Sequence, residues 1–283
     1  MPAADPVSAH LAHLRMQGRR ETTIYDRTRA LARMRTALPV PLLAATEADL
    51  AAWRATLAPL SDYAIASYVG HAQCFYAWAV GEGLIKSSPA GRLPVPRRGR
   101  RIPRPVAEKD LMLALASAPP RVRPWLVLAG WAGLRAREIA YLRREDILDH
   151  ASPPVLMVSE QAAKGGRERM IPLSAFVLTE LAAARLPLSG WAFPRRDGQP
   201  GPNAPWMVSR LANEALHEAG VAATLHQLRH RFGTMTYRAS HDLRAVQELL
   251  GHASPATSAG YAAWDRAEAA AAVESLPCPT LNE

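Results

Sequence analysis

Cysteine is almost absent: Cys74 and Cys278 are the only two in 283 residues. Two thiols exclude a disulfide framework and a four-cysteine zinc site. Lysine is nearly as scarce, since Lys86, Lys109 and Lys164 are the three lysines among 34 basic residues. Long apolar runs are missing too. Trp125 to Leu134 is the longest, too short to span a bilayer. The first residues, MPAADPVSAHLAHLRMQ, lack the apolar stretch of a signal peptide. There is no internal repeat and no glycine-rich phosphate loop. Disorder is excluded by 49% hydrophobic against 21% charged residues. These absences predict a soluble cytoplasmic protein of one large or two ordinary domains.

What is present is positive charge, unevenly placed. Residues 1–105 hold 15 basic and 7 acidic side chains, and residues 106–283 hold 19 and 18. Nearly all the net charge of +9 therefore lies in the first third. That asymmetry predicts an N-terminal part that binds a polyanion, or else a solvated basic surface. The segment Arg92–Pro105, RLPVPRRGRRIPRP, holds six arginines and four prolines. Proline removes backbone donors and like charges repel, so the segment reads as an extended linker. The expected division is a helical domain at 1–91, a basic linker at 92–105 and a second domain at 106–283.

Before the linker, apolar residues recur at helical spacing. Val7, Leu11 and Leu14 form one face, and Ile24, Leu31, Met34 and Leu38 another. Thr46 to Asp49 resembles a capping segment ahead of Leu50, Trp53 and Leu57. Ile65, Tyr68, Val69, Ala72, Phe75 and Tyr76 mark a fourth helix, stopped by Gly81 and Gly83. The aromatic residues of this bundle are expected in its core. After the linker, helices are expected at 108–118, 122–131, 136–142, 174–185, 205–219, 226–239, 242–250 and 265–276. Two β-rich runs, 155–159 and 169–173, flank a hairpin-like turn at Gln161–Glu168. The second domain is thus mainly α with one small antiparallel sheet.

Four constellations carry chemistry. His226 and Arg229, in LHQLRH, share a helix face and pair a titratable imidazole with a permanent cation. Gly251 fits a helix end, with His252 just beyond it and Tyr261 nine residues later. Gly133-Leu134-Arg135 precedes Glu138, which is placed to hold the arginine by a charge-assisted bond. Lys164 sits in the hairpin turn. Taken singly, each has a structural reading: a capping pair, a half-buried tyrosine, a helix-start ion pair, a solvated lysine.

Together and in this order, they resemble the tyrosine recombinase (phage integrase) family. Its pattern is an arginine in GLRxxE, a lysine in a β-hairpin, HxLRH, LGH and a tyrosine nine residues after that histidine. Arg135 with Glu138, Lys164, His226 with Arg229, His252 and Tyr261 match it in order. Lys164 to Leu173, KGGRERMIPL, is similar to the family's lysine hairpin and exit strand. The N-terminal helices resemble its SAM-like core-DNA-binding domain, in the short two-domain type that has no arm-binding domain. Departures are Trp131-Ala132 before Gly133, Ser258-Ala259-Gly260 before Tyr261, and Ala262-Ala263-Trp264 after it.

The resemblance implies a site-specific recombinase without cofactor or metal. Tyr261 would be the nucleophile, and Arg135 and Arg229 would clamp the phosphate oxygens with His252. Lys164 would protonate the leaving 5′-oxygen, and His226 would take the tyrosine proton. Glu138 would support them. The partners implied are double-stranded DNA sites and three further copies of the chain. Those copies would be joined through the C-terminal helix, and an accessory directionality factor would act with them. Arg97, Arg98, Arg100, Arg101 and Arg104 of the linker would lie on the DNA backbone. The work implied is that of a phage or mobile-element integrase. The alternatives are a Xer-type chromosome-dimer resolvase, a type IB topoisomerase-like enzyme, and a non-catalytic DNA-binding relative.

Overall fold

A computed structural model describes residues 5–96, 106–163 and 168–251. The chain divides into two compact units, Met1–Arg100 and Arg101–Glu283.

The first unit is helical. α1 (Pro6–Met16) starts under an Asp5 cap that accepts from the Ser8 N–H. α2 (Glu21–Ala37) follows, then a 3-10 turn at Leu42–Ala44. α3 (Glu47–Thr56) opens on a capping box between Thr46 and Asp49, as the sequence predicts. α4 (Asp62–Gly81) ends at the first of the two expected glycines. Val7, Leu11, Leu14, Ile24, Leu31, Met34, Trp53 and Phe75 meet in one core. The Tyr76 hydroxyl crosses that core to donate to Leu42 O at 2.8 Å. Leu93, inside the arginine-proline segment, is buried in the same core, and Arg54 Nε donates to Pro94 O at 3.3 Å. Two aromatics depart from the expected core: Tyr25 and Tyr63 are exposed. Both fall outside the apolar stripe of their helices, so the same spacing that buries Ile24 and Ile65 turns them outward.

The second unit is built round α6 (Arg123–Trp131), whose residues Pro124 to Gly130 are all buried. A helix apolar on every side belongs at the centre of a layer. α5 (Glu108–Ser117) precedes it, and α7 (Ala136–Ala140) follows, shorter than the spacing predicts. A three-stranded antiparallel sheet comes next, in the order β1 (Ile147–Leu148), β2 (Val155–Val158), β3 (Arg169–Pro172). β1 was not expected, because two residues carry no readable alternation. Val158 pairs with Arg169, so β3 begins on an arginine. α8 (Ala175–Ala183), α9 (Pro205–Glu218), α10 (Leu225–Ser240) and α11 (Leu243–Leu250) complete the unit. α10 packs on α6, α9 on α7, and α11 on α10 and β3. No helix among the described residues is long and apolar enough to cross a membrane.

Candidate active site

The site begins where α6 stops. Gly133 has φ +66°, and a Cβ there would run into the Phe232 ring of α10. Only glycine takes both the left-handed turn and the close approach. Arg135 then caps α7. Its backbone N–H donates to Glu138 Oε2 at 2.8 Å, and its Nη1 donates to Oε1 at 2.8 Å. The sequence-predicted bond between Arg135 and Glu138 is therefore present, and it also supplies the helix cap.

Glu138 is 1% exposed and is the centre of the site. Burial alone would push its carboxyl pKa up. The Arg169 hydrogen bonds and the charges of Arg169, Arg229 and Arg135 reverse that and hold it down at about 2. Arg169 Nη1 and Nη2 donate to Oε1 and Oε2 at 3.1 and 2.8 Å, a two-pronged pair. Arg229 Nη1 stands 3.4 Å from Oε2 and also donates to Gly133 O. Arg229 Nη2 donates to Leu250 O, and Arg169 Nε donates to Leu249 O at 2.7 Å. The last carbonyls of α11, which a helix leaves unpaired, are thus met by the two arginines that hold Glu138.

Three guanidinium groups share one carboxylate, so the site keeps about two positive charges in a low-dielectric setting. Arg135 brings that charge to the surface, with a side chain 22% exposed. Arg229 is 2% exposed and lies beneath it. A cleft of about 390 Å³ opens beside Arg135, walled by Arg137, Trp206, Ser209 and His226. His226 is exposed at the start of α10, under a capping box between Thr224 and Gln227. Its ring meets His230 edge-on at 4.6 Å. Burial, then the charges of His226 and Arg229, bring the His230 pKa down to about 4, so His230 is neutral at pH 7. Among the described residues no group of three His, Cys, Asp or Glu could hold a metal ion. The arrangement suits a phosphate: arginine donors, a surplus of positive charge and an imidazole at the rim.

Of the sequence-predicted residues, Arg135, Glu138, His226 and Arg229 gather here from α7 and α10. Lys164, His252 and Tyr261 lie outside the described residues. So do Arg97, Arg98, Arg100, Arg101 and Arg104, and the helix expected at 265–276. Two residues were missed, Arg169 and His230. His230 carried a signal, since i and i+4 share a helix face with His226. For Arg169 the signal was only its place at the foot of the lysine hairpin.

Comparison with known proteins gives a consistent family. The model of the phage integrase family matches residues 107–268. The chain is 34% identical to tyrosine recombinase XerD of Caulobacter vibrioides over 208 residues, covering 66% of each. It is 32% identical to tyrosine recombinase XerC of Xanthomonas campestris pv. campestris over 215 residues, covering 71% of this chain and 64% of that one. The match thus takes in just under two thirds of the length of these relatives. Among solved structures, a lambda integrase dimer bound to a COC′ core site aligns over 92% of this chain and 95% of that one. The TM-score is 0.74 and the identity 21%, a likeness of fold.

Proposed function

The chain belongs to the phage integrase family, and from that membership we propose that it is a site-specific DNA recombinase acting through a phosphotyrosyl intermediate. The observation that carries the reading is Glu138, which gathers Arg135, Arg169 and Arg229 into a site with surplus positive charge beside His226. The family match and the XerD and XerC relatives support the same chemistry.

In this reading the Tyr261 phenol oxygen attacks the scissile phosphorus as the bond from phosphorus to the 5′-oxygen breaks. A phenol has an ordinary pKa of about 10, so its proton must be taken as it attacks. His226 takes or relays it. Arg135, with Arg229 and His252, offsets the charge that develops on the non-bridging oxygens. Lys164 protonates the leaving 5′-oxygen. The products are a 3′-phosphotyrosyl link and a free 5′-hydroxyl. A 5′-hydroxyl from a partner strand reverses the step, so one phosphodiester replaces another without ATP.

The finer reading is a phage or mobile-element integrase that works as a homotetramer, with an accessory directionality factor and with the linker arginines on the DNA backbone. A solved lambda integrase tetramer bound to a Holliday junction has a similar fold. Resolution of chromosome dimers is the second reading, favoured by the relatives named XerD and XerC.

A nicked suicide duplex carrying the core site tests the chemistry. Wild type leaves a DNA-linked protein band after denaturation. Tyr261→Phe binds the duplex and leaves none. A band that persists in Tyr261→Phe overturns the assignment.

A further inference from the structure

Arg169 stands apart from the residues that the motifs single out. Its side chain is 7% exposed, so it does not reach the cleft. Yet it makes three bonds to two parts of the site. Two go to the Glu138 carboxylate, at 3.1 and 2.8 Å, and one goes from Nε to Leu249 O at 2.7 Å. It is also packed against the end of α11, where a Cβ on Gly251 would come 3.1 Å from its Nη1. Gly251 has φ +60°, so the left-handed turn after α11 closes directly on this guanidinium.

Glu138 in turn sets Arg135, since Oε1 accepts from both Arg135 Nη1 and Arg169 Nη1. Arg229 reaches the carboxylate at the longer distance of 3.4 Å. Arg135 reaches both oxygens itself, its backbone N–H at Oε2 and its Nη1 at Oε1, each at 2.8 Å. The two-pronged contact from Arg169 ties that shared carboxylate to β3 and so helps fix where Arg135 presents its donors. We infer that Arg169 is a positioning residue for strand cleavage, orienting Arg135 through Glu138 and tying both to the end of α11.

The inference rests on the recombinase reading, and the two fail in different ways. Misplacing a group that contacts the reacting phosphate by about 1 Å costs on the order of a hundredfold in rate. Lysine supplies a point charge but cannot hold both carboxylate oxygens and Leu249 O at once. Arg169→Gln and Arg169→Lys are compared with wild type in full-length protein on the nicked suicide duplex. One duplex carries the natural scissile phosphate. A second carries a methylphosphonate there, which lacks the charge that Arg135 offsets.

The expected result is unchanged DNA affinity and cleavage of the natural duplex slowed on the order of a hundredfold for Gln and less for Lys. Each loss shrinks to a few-fold on the methylphosphonate. As a second measurement on the natural duplex, Arg169→Gln adds little to the loss in Arg135→Ala, because it acts through Arg135. Equal loss on both duplexes, or losses that multiply with Arg135→Ala, make Arg169 a stability residue and overturn the inference. No loss in either variant overturns it as well. If Arg169→Gln does not fold, Arg169→Lys carries the same comparison. Absence of a covalent band in wild type rejects the recombinase reading, and the inference falls with it before any variant is compared.

Discussion

The two units bury arginine in opposite ways. In the first, Arg27 is 9% exposed, and no carboxylate pairs with it among the described residues. Its Nη1 reaches His71 O at 3.4 Å, and its Nε has no hydrogen-bond partner. In the second, Arg229 is 2% exposed and meets Glu138, Gly133 O and Leu250 O. Arg231, nearby on α10, pairs with Glu108 and Gly130 O and lies over the Trp131 ring. The first unit instead spends its charge outward, with Arg19, Arg20, Arg29, Arg33 and Arg35 exposed. A dispersed basic surface suits sequence-independent attraction to a polyanion. A buried, oriented cluster suits one phosphate held in one place. The basic residues are thus dispersed over the surface of the first unit and gathered about one carboxylate in the second.

Removing Glu138 tests this contrast most severely. Glu138→Gln leaves three guanidinium groups without their carboxylate. Breaking a buried pair by taking one partner costs about 3–5 kcal/mol. The second unit should lose that much stability in urea while the first is unchanged, as read by proteolytic fragments from each. Equal loss in both units would show that Glu138 is not a local centre of the second unit.

The arginines themselves give the next largest effect. Arg229→Met leaves Gly133 O and Leu250 O buried without their guanidinium donor, and an unpaired buried acceptor costs about 1–3 kcal/mol. Arg27→Met removes a buried charge that has one long hydrogen bond, so its stability should stay within about 1 kcal/mol of wild type. Urea unfolding of the two variants checks the contrast. A comparable loss in Arg27→Met would mean that the first unit also depends on its buried arginine.

How much of this is legible in the sequence follows the same division. The first unit rests on local signals. Val7, Leu11 and Leu14 repeat within one helix, and Thr46 and Asp49 close a box three residues apart, so spacing alone predicts them. The left-handed glycine at 251 also reads correctly as a helix end. The site depends on distant partners. Arg169 is 31 residues from Glu138 and 80 from Leu249, and no periodicity marks an arginine at a strand start as buried. His10 shows the same limit: it lies on the apolar face of α1, yet its burial against Phe75 and Trp78 needs a helix far along the chain.

Buried histidine separates the units less, because here they agree. Burial, then Arg27 and His13, hold the His10 pKa down at about 4, as burial does for His230. An ordinary histidine titrates at about 6.5. Between these values the unfolded chain takes a proton that the folded chain refuses. Stability is therefore full above about pH 6.5 and is lost as pH falls toward 4. After allowance for solvent screening, each histidine should account for roughly 1–2 kcal/mol between pH 7.5 and pH 5. His10→Phe should remove its own share of that loss from the first unit, leaving the share of His71, whose pKa burial also lowers, and should leave the second unit's slope intact. An unchanged slope in the first unit would place the titrating group elsewhere.

The smallest effect tests how a buried neutral bond differs from the arginine cluster. Tyr76 is fully buried, and its hydroxyl donates to Leu42 O at 2.8 Å, joining α4 to the turn between α2 and α3. Tyr76→Phe removes the donor and keeps the ring that packs edge-on against Phe75 at 5.2 Å. Leu42 O still accepts from the Ala45 N–H at 3.4 Å, so the carbonyl is not left bare. The cost should then stay near the net worth of one neutral hydrogen bond, about 1 kcal/mol. Because α4 keeps its helix and its core, the midpoint of the first unit shifts without a change in the urea slope. A loss as large as that of Glu138→Gln would mean that the hydroxyl holds the turn as the carboxylate holds the site.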